Sequence, residues 1–164
     1  MKTLSDARRL RAHVIERLEH ADITRLPEVK KGALTFTVIG GGFSGIETVG
    51  EIKELIDRSL RYYPNIIASE IRVVVLEFAD RILNEMPESL AAYAQNKLNQ
   101  RGIEVQLGVG VAEATGTQLV TTTGEVIDTR TIVATIGNTP APVVAKMPLT
   151  LEQGRILVRR DFRA

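Results

Sequence analysis

The sequence predicts an α/β fold in which helices pack on a parallel sheet. Residues 35–39 form a short β-branched run that leads into three glycines. Residues 71–76 (IRVVVL) are almost wholly apolar, as expected for a parallel strand buried on both faces. Beyond residue 103 the spacing of apolar residues changes from helical to alternating, which indicates further strands. Helical patterns separate these runs, and such alternation of strands and helices is typical of a parallel sheet.

An N-terminal helix is predicted for residues 4–21. Ser5 or Asp6 can cap it. Its apolar residues recur at helical spacing: Leu4, Ala7, Leu10, Val14, Leu18 and Ala21. Pro27 and Gly32 then indicate a short connection to the first strand. A second helix is predicted from Ser44 until a Pro-Asn pair interrupts the pattern.

A third helix is predicted after Pro87, and Gly102 fits the position just past its end. The alternating residues from Ile103 onwards, with turns at two later glycines, predict an antiparallel β-meander. Residues 131–136 (TIVATI) form a last apolar strand. The order of elements predicts a Rossmann-like βαβαβ parallel sheet preceded by an N-terminal helix. The inserted antiparallel β-meander would cover one face and complete a three-layer ββα arrangement.

The composition argues against several classes of function. The chain has 164 residues, enough for one domain, and its formal net charge of +1 argues against a nucleic-acid-binding surface. It has no cysteine, so it forms no disulfide and no cysteine-ligated zinc site. No apolar run approaches the roughly 18 residues of a membrane span, and a signal-peptide core is absent. We therefore expect a soluble, cytoplasmic segment with no transmembrane segment.

The glycine-rich turn GGGFSG has the Gly-x-Gly-x-x-Gly spacing of a dinucleotide-binding fingerprint. In this interpretation Gly40 permits the tight turn, Gly42 lets the backbone approach a pyrophosphate, and Gly45 lets the helix pack close to the strand. The helix N-terminus supplies N–H donors and partial positive charge for the phosphates. The same letters also open a triphosphate-binding P-loop, but Ile46 and Glu47 stand where its Lys and Ser or Thr are required.

Glu77 is the second part of the fingerprint. It follows the strand 71–76, so it is predicted to lie at the sheet edge, where its carboxylate can bind both hydroxyls of an adenosine ribose. The same charge repels a 2′-phosphate, which favours NADH over NADPH. Arg81 is an opposing signal, because an arginine in this loop can accommodate a phosphate.

A glycine-rich turn that binds no ligand is the simpler interpretation of GGGFSG. Its position between a strand and a helix disfavours that interpretation.

No metal site is predicted. His13 and His20 are seven residues apart on the first helix, which is too far for both to bind one metal ion, and no third ligand is evident. We expect both imidazoles to be solvated.

Three segments together resemble a known family. They are VIGGGFSGIETVGEI (residues 38–52), VVVLEFADRILNEMPESLAAYAQNKLNQRGIEVQLGVGV (residues 73–111) and TTGEVIDTRTIVATIGNTPAP (residues 122–142). In this order they are similar to the NAD-binding domain of two-dinucleotide-fold flavoproteins, the FAD-dependent pyridine nucleotide-disulfide oxidoreductases. Among these, the type II NADH dehydrogenases are the nearest match. The resemblance extends over nearly the whole chain.

The resemblance implies roles for individual residues. Glu47 would lie near the nicotinamide and position it, which is its implied catalytic role. The loop with Phe43 and Ser44 would contact the pyrophosphate, and Val111 would lie against the adenine. The stretch ATIG resembles a family motif that lies beside the nicotinamide and adjoins the flavin. The predicted cofactor-binding residues are Gly40, Gly41, Gly42, Phe43, Ser44, Gly45, Glu47, Glu77, Val111, Ile136 and Gly137.

The resemblance also implies an activity: hydride transfer from NADH to FAD, and from there to an acceptor, expected to be a quinone. Only one glycine fingerprint is present, so FAD would be bound by another domain of the same parent chain. We expect residues 1–33 to be a helix and linker from that FAD domain. Residues 34–150 would be the NAD(H)-binding domain, and residues 151–164 would begin the return to the FAD domain.

Further expectations concern the assembly and the alternatives. Without FAD the chain is expected to be inactive, and the full-length protein would attach peripherally to the inner face of the membrane. A homodimer is a further expectation. Two alternatives stay open: a free-standing nucleotide-binding module without catalysis, and an S-adenosylmethionine-dependent methyltransferase. The second is disfavoured because the meander and the ATIG strand have no role in it.

Overall fold

The computed structural model describes residues 3–137, 140–152 and 154–164. The helices are α1 (Leu4–Ile23), α2 (Pro27–Ala33), α3 (Phe43–Ser59) and α4 (Glu88–Gln100). The strands are β1 (Thr35–Ile39), β2 (Arg72–Glu77), β3 (Ile103–Leu107), β4 (Val111–Ala114), β5 (Gln118–Thr121), β6 (Val126–Asp128), β7 (Thr131–Ala134), β8 (Leu151–Glu152) and β9 (Arg155–Ile156). Short 3-10 turns follow α3, precede β2 and precede β8.

A four-stranded parallel sheet forms the centre, in the order β3-β2-β1-β7. The chain passes from β1 through α3 to β2 and through α4 to β3, and then returns to place β7 on the other side of β1. The antiparallel strands β4, β5 and β6 form the inserted meander before β7. The predicted α/β class, with a parallel sheet and an inserted meander, is confirmed.

Both faces of the sheet are buried, and this explains the apolar run in β2. Val73 and Val75 belong to the larger apolar core with the helices, whereas Val74 and Leu76 belong to a smaller core with the meander. Successive residues of a strand point to opposite faces, so a strand covered on both sides needs apolar residues at every position. The helices, sheet and meander therefore form three layers.

Helix α1 packs on the same core as the sheet. Its buried residues are Val14, Leu18 and Ala21. Thr3 caps the helix in a capping box with Asp6, rather than Ser5 or Asp6 acting as the cap.

His13 is not solvated as expected, because its Nε2 lies 3.1 Å from the Arg130 carbonyl oxygen and 3.0 Å from Thr131 Oγ1. This contact ties α1 to the start of β7.

Three element assignments differ from the sequence prediction. The connection between Pro27 and Gly32 is a short helix, which begins with proline because the first turn needs no N–H donor there. The alternating residues Ile103–Leu107 form the parallel edge strand β3 and not part of the meander. The last strand ends at Ala134 instead of Ile136.

A polar cluster fixes the meander to the edge of the sheet. The Arg72 guanidinium donates to Glu104 at 2.9 and 3.0 Å and to Glu125 at 3.1 Å. Gln106 Nε2 donates to both carboxylates. The hydrogen bond from Arg72 lowers the pKa of Glu104 and outweighs the opposing effect of desolvation. The cluster joins β2, β3 and the turn between β5 and β6.

Buried threonines lie between the sheet and the meander, and they differ in hydrogen bonding. The Thr129 hydroxyl donates to the Thr35 carbonyl at 2.7 Å and accepts from the Thr131 N–H at 3.2 Å. The Thr37 hydroxyl is fully buried beside Val74 in the sheet, and among the described residues it has no hydrogen-bond partner. A buried hydroxyl without a partner destabilises the folded state by its desolvation cost.

We predict that Thr37→Val raises the free energy of unfolding by about 1 kcal/mol, because valine keeps the shape and removes the unpaired hydroxyl. Thr129→Val is the matched control, since it removes a paired hydroxyl from the same layer. It should lower the free energy of unfolding by about 1–3 kcal/mol. Urea unfolding followed by circular dichroism measures both. A Thr37→Val protein that is as destabilised as Thr129→Val would show that the Thr37 hydroxyl has a hydrogen-bond partner, and would contradict the prediction.

Candidate dinucleotide-binding site

Three loops meet at the carboxyl ends of the parallel strands. The Gly40 N–H donates to the Leu76 carbonyl at 2.9 Å, and the Thr135 N–H donates to the Ile39 carbonyl at 2.9 Å. The Leu83 N–H donates to the Gly41 carbonyl at 2.8 Å. The glycine turn after β1 is thereby bonded to the loops after β2 and β7. In open α/β sheets, ligands bind at such an edge, where the strand order reverses.

Gly45 brings α3 into contact with the end of β1. A Cβ at this position would lie 1.8 Å from the Gly40 carbonyl oxygen and 2.9 Å from Thr135 Oγ1, so no side chain fits. Gly40 itself has a φ of +105°, which favours glycine. The roles predicted for these two glycines, close packing and the tight turn, agree with their contacts.

Gly41 is the glycine whose packing role the spacing did not predict. A Cβ there would lie 2.9 Å from Ile82 Cγ2 and 3.1 Å from Glu77 Cβ. Its N–H donates to Glu77 Oε2 in a short hydrogen bond of 2.5 Å. Gly41 therefore lets the turn pack against the end of β2 and the loop that follows it.

Gly42 differs from its neighbours, because none of the protein's own atoms require glycine there. Its φ of −73° suits any residue, and a Cβ would meet nothing within 4 Å. It is the N-cap of α3, and no side chain caps this helix. The N–H groups of the first turn, beside the exposed Phe43 and Ser44, are thus available to an anion. The open space above Gly42 fits a group that approaches the backbone closely.

Glu77 is half-buried and bonded through both carboxylate oxygens. Oε2 accepts from the Gly41 N–H and Oε1 accepts from the Ala79 N–H at 2.8 Å. An ionised carboxylate offers about four acceptor positions, so the ribose hydroxyls can still be bound. Arg81 turns to its own loop, where it donates to the Asn84 side chain and carbonyl. The acid therefore lies beside the turn as expected, with an additional structural function.

Two residues assigned to the nicotinamide, Ile136 and Gly137, follow β7, on the opposite side of β1 from Glu77. Ile136 is 65% exposed next to Gly40, and Gly137 has a φ of +78° with open space around it. Glu47 is exposed in the second turn of α3. It lines a groove of about 530 Å³ between α3 and α1 and another of about 610 Å³ between α3 and α4. Among the described residues it has no hydrogen-bond partner.

Val111 begins β4 and packs at the edge of the smaller core with the meander. Its contact with adenine stays a prediction.

Thr135 and Leu83 support the glycine turn, and the sequence analysis does not predict either role. The Thr135 hydroxyl donates to the Ile39 carbonyl at 2.9 Å and lies against the positions that side chains at Gly40 and Gly45 would occupy. The position of Thr135 in the ATIG stretch is the sequence signal that indicates its role at the site. Leu83 is held at a φ of +50° by its bond to the glycine turn, and no local sequence signal indicates this.

Across residues 3–137, 140–152 and 154–164, no group of His, Asp and Glu side chains has the arrangement of a metal site. Within the same ranges, no helix is long and apolar enough to span a lipid bilayer.

Together, the parallel sheet, the glycine turn and the acid at the end of β2 define a Rossmann-type domain. The family model for pyridine nucleotide-disulphide oxidoreductases matches residues 2–164. The chain therefore belongs to the pyridine nucleotide-disulphide oxidoreductase family, as its motifs predicted.

Curated relatives agree with this membership, and a solved structure shares the fold. A type II NADH:quinone oxidoreductase of Mycobacterium tuberculosis is 35% identical over 69% of this chain and 25% of its own length. An external alternative NAD(P)H-ubiquinone oxidoreductase of Arabidopsis thaliana mitochondria is 31% identical over 94% of this chain and 27% of its own length. The chain thus spans about a quarter of these relatives. The structure of NDH2 from Plasmodium falciparum in complex with NADH has the same fold, with a TM-score of 0.80 and 18% identity over 88% of this chain and 31% of that one.

We predict that Gly45→Ala lowers the free energy of unfolding by about 3 kcal/mol, because its Cβ would overlap the Gly40 carbonyl and force α3 away from β1. Gly42→Ser is the matched control. It also adds a Cβ in the same turn, but into open space, and serine is a favoured N-cap residue. Thermal and urea unfolding should separate the two variants. Equal stability of Gly45→Ala and the parent chain would refute the close approach.

Proposed function

We propose that the chain is the NADH-binding domain of an FAD-dependent NADH dehydrogenase that delivers electrons to a quinone. NADH supplies the hydride and FAD accepts it, so the redox chemistry belongs to the cofactors. The protein residues bind and orient NADH. The relatives named above as NADH:quinone and NAD(P)H-ubiquinone oxidoreductases support the quinone as acceptor.

The observation that carries the proposal is the unfilled space above Gly42. The other two fingerprint glycines are required by packing, but Gly42 touches nothing that demands it. A glycine that the fold does not need, at an uncapped helix N-terminus, fits a pyrophosphate that approaches the backbone. Glu77 lies beside it at the end of the next strand, where a ribose diol is bound in this fold.

The nicotinamide half would extend from the turn towards β7. In the proposed mode, Gly137 leaves room for the ring and exposed Ile136 supplies an apolar surface. Glu47 would bind the polar end of the nicotinamide, since its carboxylate is exposed and unbonded within the described part of the chain. Ser44 and Phe43 would offer backbone N–H groups to the pyrophosphate.

FAD would be bound by a further domain of the same parent chain. In the proposed organisation residues 1–33 lead from that domain, residues 34–150 bind NADH, and residues 151–164 lead back. The share of the relatives that the chain spans, about a quarter, supports this division. We further propose that the parent protein attaches to the membrane surface, and that the chain alone does not turn over NADH.

Two other functions compete with this proposal. A free-standing nucleotide-binding module would use the same turn and the same acid. Membership of the family favours the oxidoreductase over this module and over a methyltransferase.

We predict that the chain binds NADH about tenfold more tightly than NADPH. The Glu77 carboxylate lies where the adenosine ribose is expected, and its charge repels a 2′-phosphate, while Arg81 is bonded to Asn84. One tenfold step corresponds to about 1.4 kcal/mol, less than one charge-assisted hydrogen bond provides. Isothermal titration calorimetry measures both affinities, and tighter binding of NADPH would overturn the assignment of Glu77.

Gly42→Val tests whether the glycine turn binds the pyrophosphate. Its side chain would enter the open space and block the pyrophosphate, so NADH binding should be lost while the circular dichroism spectrum and melting temperature stay near those of the parent chain. A folded Gly42→Val protein with unchanged NADH affinity would remove the pyrophosphate from this turn, and the proposed function with it.

We predict that Glu47→Gln weakens NADH binding about threefold or more, because it removes the carboxylate charge from a hydrogen bond to the nicotinamide amide. Affinity for ADP-ribose, which lacks the nicotinamide, should not change. Glu51→Gln is the matched control, since Glu51 lies one turn further along α3 and lines the same two grooves. Equal effects of the two substitutions on NADH, or an equal loss of ADP-ribose affinity, would contradict the role of Glu47.

A further inference from the structure

We propose that Phe78 is the stacking platform for the purine base of the bound dinucleotide. This inference rests on the proposed function and extends it to a residue that the glycine fingerprint does not include. Phe78 follows Glu77 directly and is 76% exposed, so most of its ring faces solvent at the carboxyl edge of the sheet.

The backbone on both sides of Phe78 is fixed. The Glu77 carbonyl accepts from the Val109 N–H at 2.9 Å, and the Ala79 carbonyl accepts from the Gly108 N–H at 2.9 Å. The Ala79 N–H in turn donates to the Glu77 carboxylate. These bonds join the end of β2 to the loop between β3 and β4. The exposed aromatic ring therefore projects from a well-anchored segment, which limits the conformational entropy that is lost when a ligand binds.

The absence of a side chain at Gly110 leaves room for the Phe78 ring. A Cβ on Gly110 would lie 3.2 Å from Phe78 Cδ2 and 3.1 Å from Thr122 Cγ2, closer than these atoms can comfortably pack. Gly110 is itself held by Thr122, which bonds to its N–H at 3.0 Å and to its carbonyl at 2.9 Å. The ring thus lies close to backbone on one side, and its high exposure leaves surface available on the other.

The order of the strands indicates where the purine base of the dinucleotide would lie. The glycine turn lies at the end of β1, Glu77 at the end of β2, and the loop with Gly110 follows β3, which is the next strand of the sheet. Neighbouring strands are about 4.8 Å apart. A nucleotide with its pyrophosphate at Gly42 and its ribose at Glu77 therefore continues towards the end of β3. The base would then lie over Phe78.

Stacking is the interaction that an exposed phenylalanine offers to a purine. The ring has no hydrogen-bonding group, so it contacts the face of the base. Removal of one stacked aromatic side chain costs about 1–3 kcal/mol per base, which corresponds to roughly 5- to 150-fold in affinity. We therefore expect a clear loss of affinity without a change in fold.

The test uses ADP-ribose, which contains the base, ribose and pyrophosphate but no nicotinamide. Phe78→Ala should weaken ADP-ribose and NADH about tenfold in calorimetric titrations. Phe78→Tyr keeps the ring and should bind nearly as the parent chain does. Tyr62→Ala is the matched control, since Tyr62 is also an exposed aromatic residue, 66% accessible, but lies on the 3-10 turn after α3. It should leave both affinities unchanged.

An apolar variant without a ring separates stacking from simple apolar contact. Phe78→Leu keeps apolar area, so on the stacking model it should lose ADP-ribose affinity nearly as Phe78→Ala does. A Phe78→Leu protein that binds ADP-ribose as the parent chain does would overturn the stacking role. If the parent chain binds NADH and Phe78→Ala binds it equally well, the platform is refuted and the proposed function stands. If the parent chain binds neither NADH nor ADP-ribose, both proposals fail together.

Discussion

The contact between Gly45 and the Gly40 carbonyl is the constraint on which the site depends. With only 1.8 Å between that oxygen and the position of a Cβ, α3 starts directly above the end of β1. Thr135 Oγ1 fills the remaining space at 2.9 Å, so the loop after β7 is placed by the same contact. The uncapped N–H groups of α3 therefore open at the sheet edge where the strand order reverses.

Glu77 joins this turn to the next strand and would also bind the ligand. Because both its oxygens accept backbone N–H groups, its side chain is already oriented before a ribose arrives, which lowers the entropic cost of binding. The same double role means that a substitution of Glu77 disturbs the turn and the ligand contact together. A Cβ at Gly42 meets no protein atom, so a substitution there would change the proposed ligand contact alone.

The strands and the glycine turn could be predicted because their signals are local. The apolar run of β2 and the glycine spacing each depend on a few adjacent residues. The prediction of a meander starting at Ile103 was wrong, because the alternating burial of an edge strand gives the same pattern in parallel and antiparallel sheets. The functions of Gly41 and Leu83 depend on contacts with residues about 40 positions away, and no local pattern encodes them.

The order of the strands gives the proposed ligand its direction. From the turn on β1, one side of the sheet leads to Glu77 and Phe78 at the end of β2, and then to Gly110 in the loop after β3. The other side leads to β7 and the loop with Gly137. A dinucleotide whose pyrophosphate lies on α3 therefore places its adenosine over the first side and its nicotinamide over the second. Because a Cβ at Gly137 would meet open space, the proposed nicotinamide end would be free to face a partner domain, whereas the proposed adenosine end would lie against Glu77 and Phe78 of this chain.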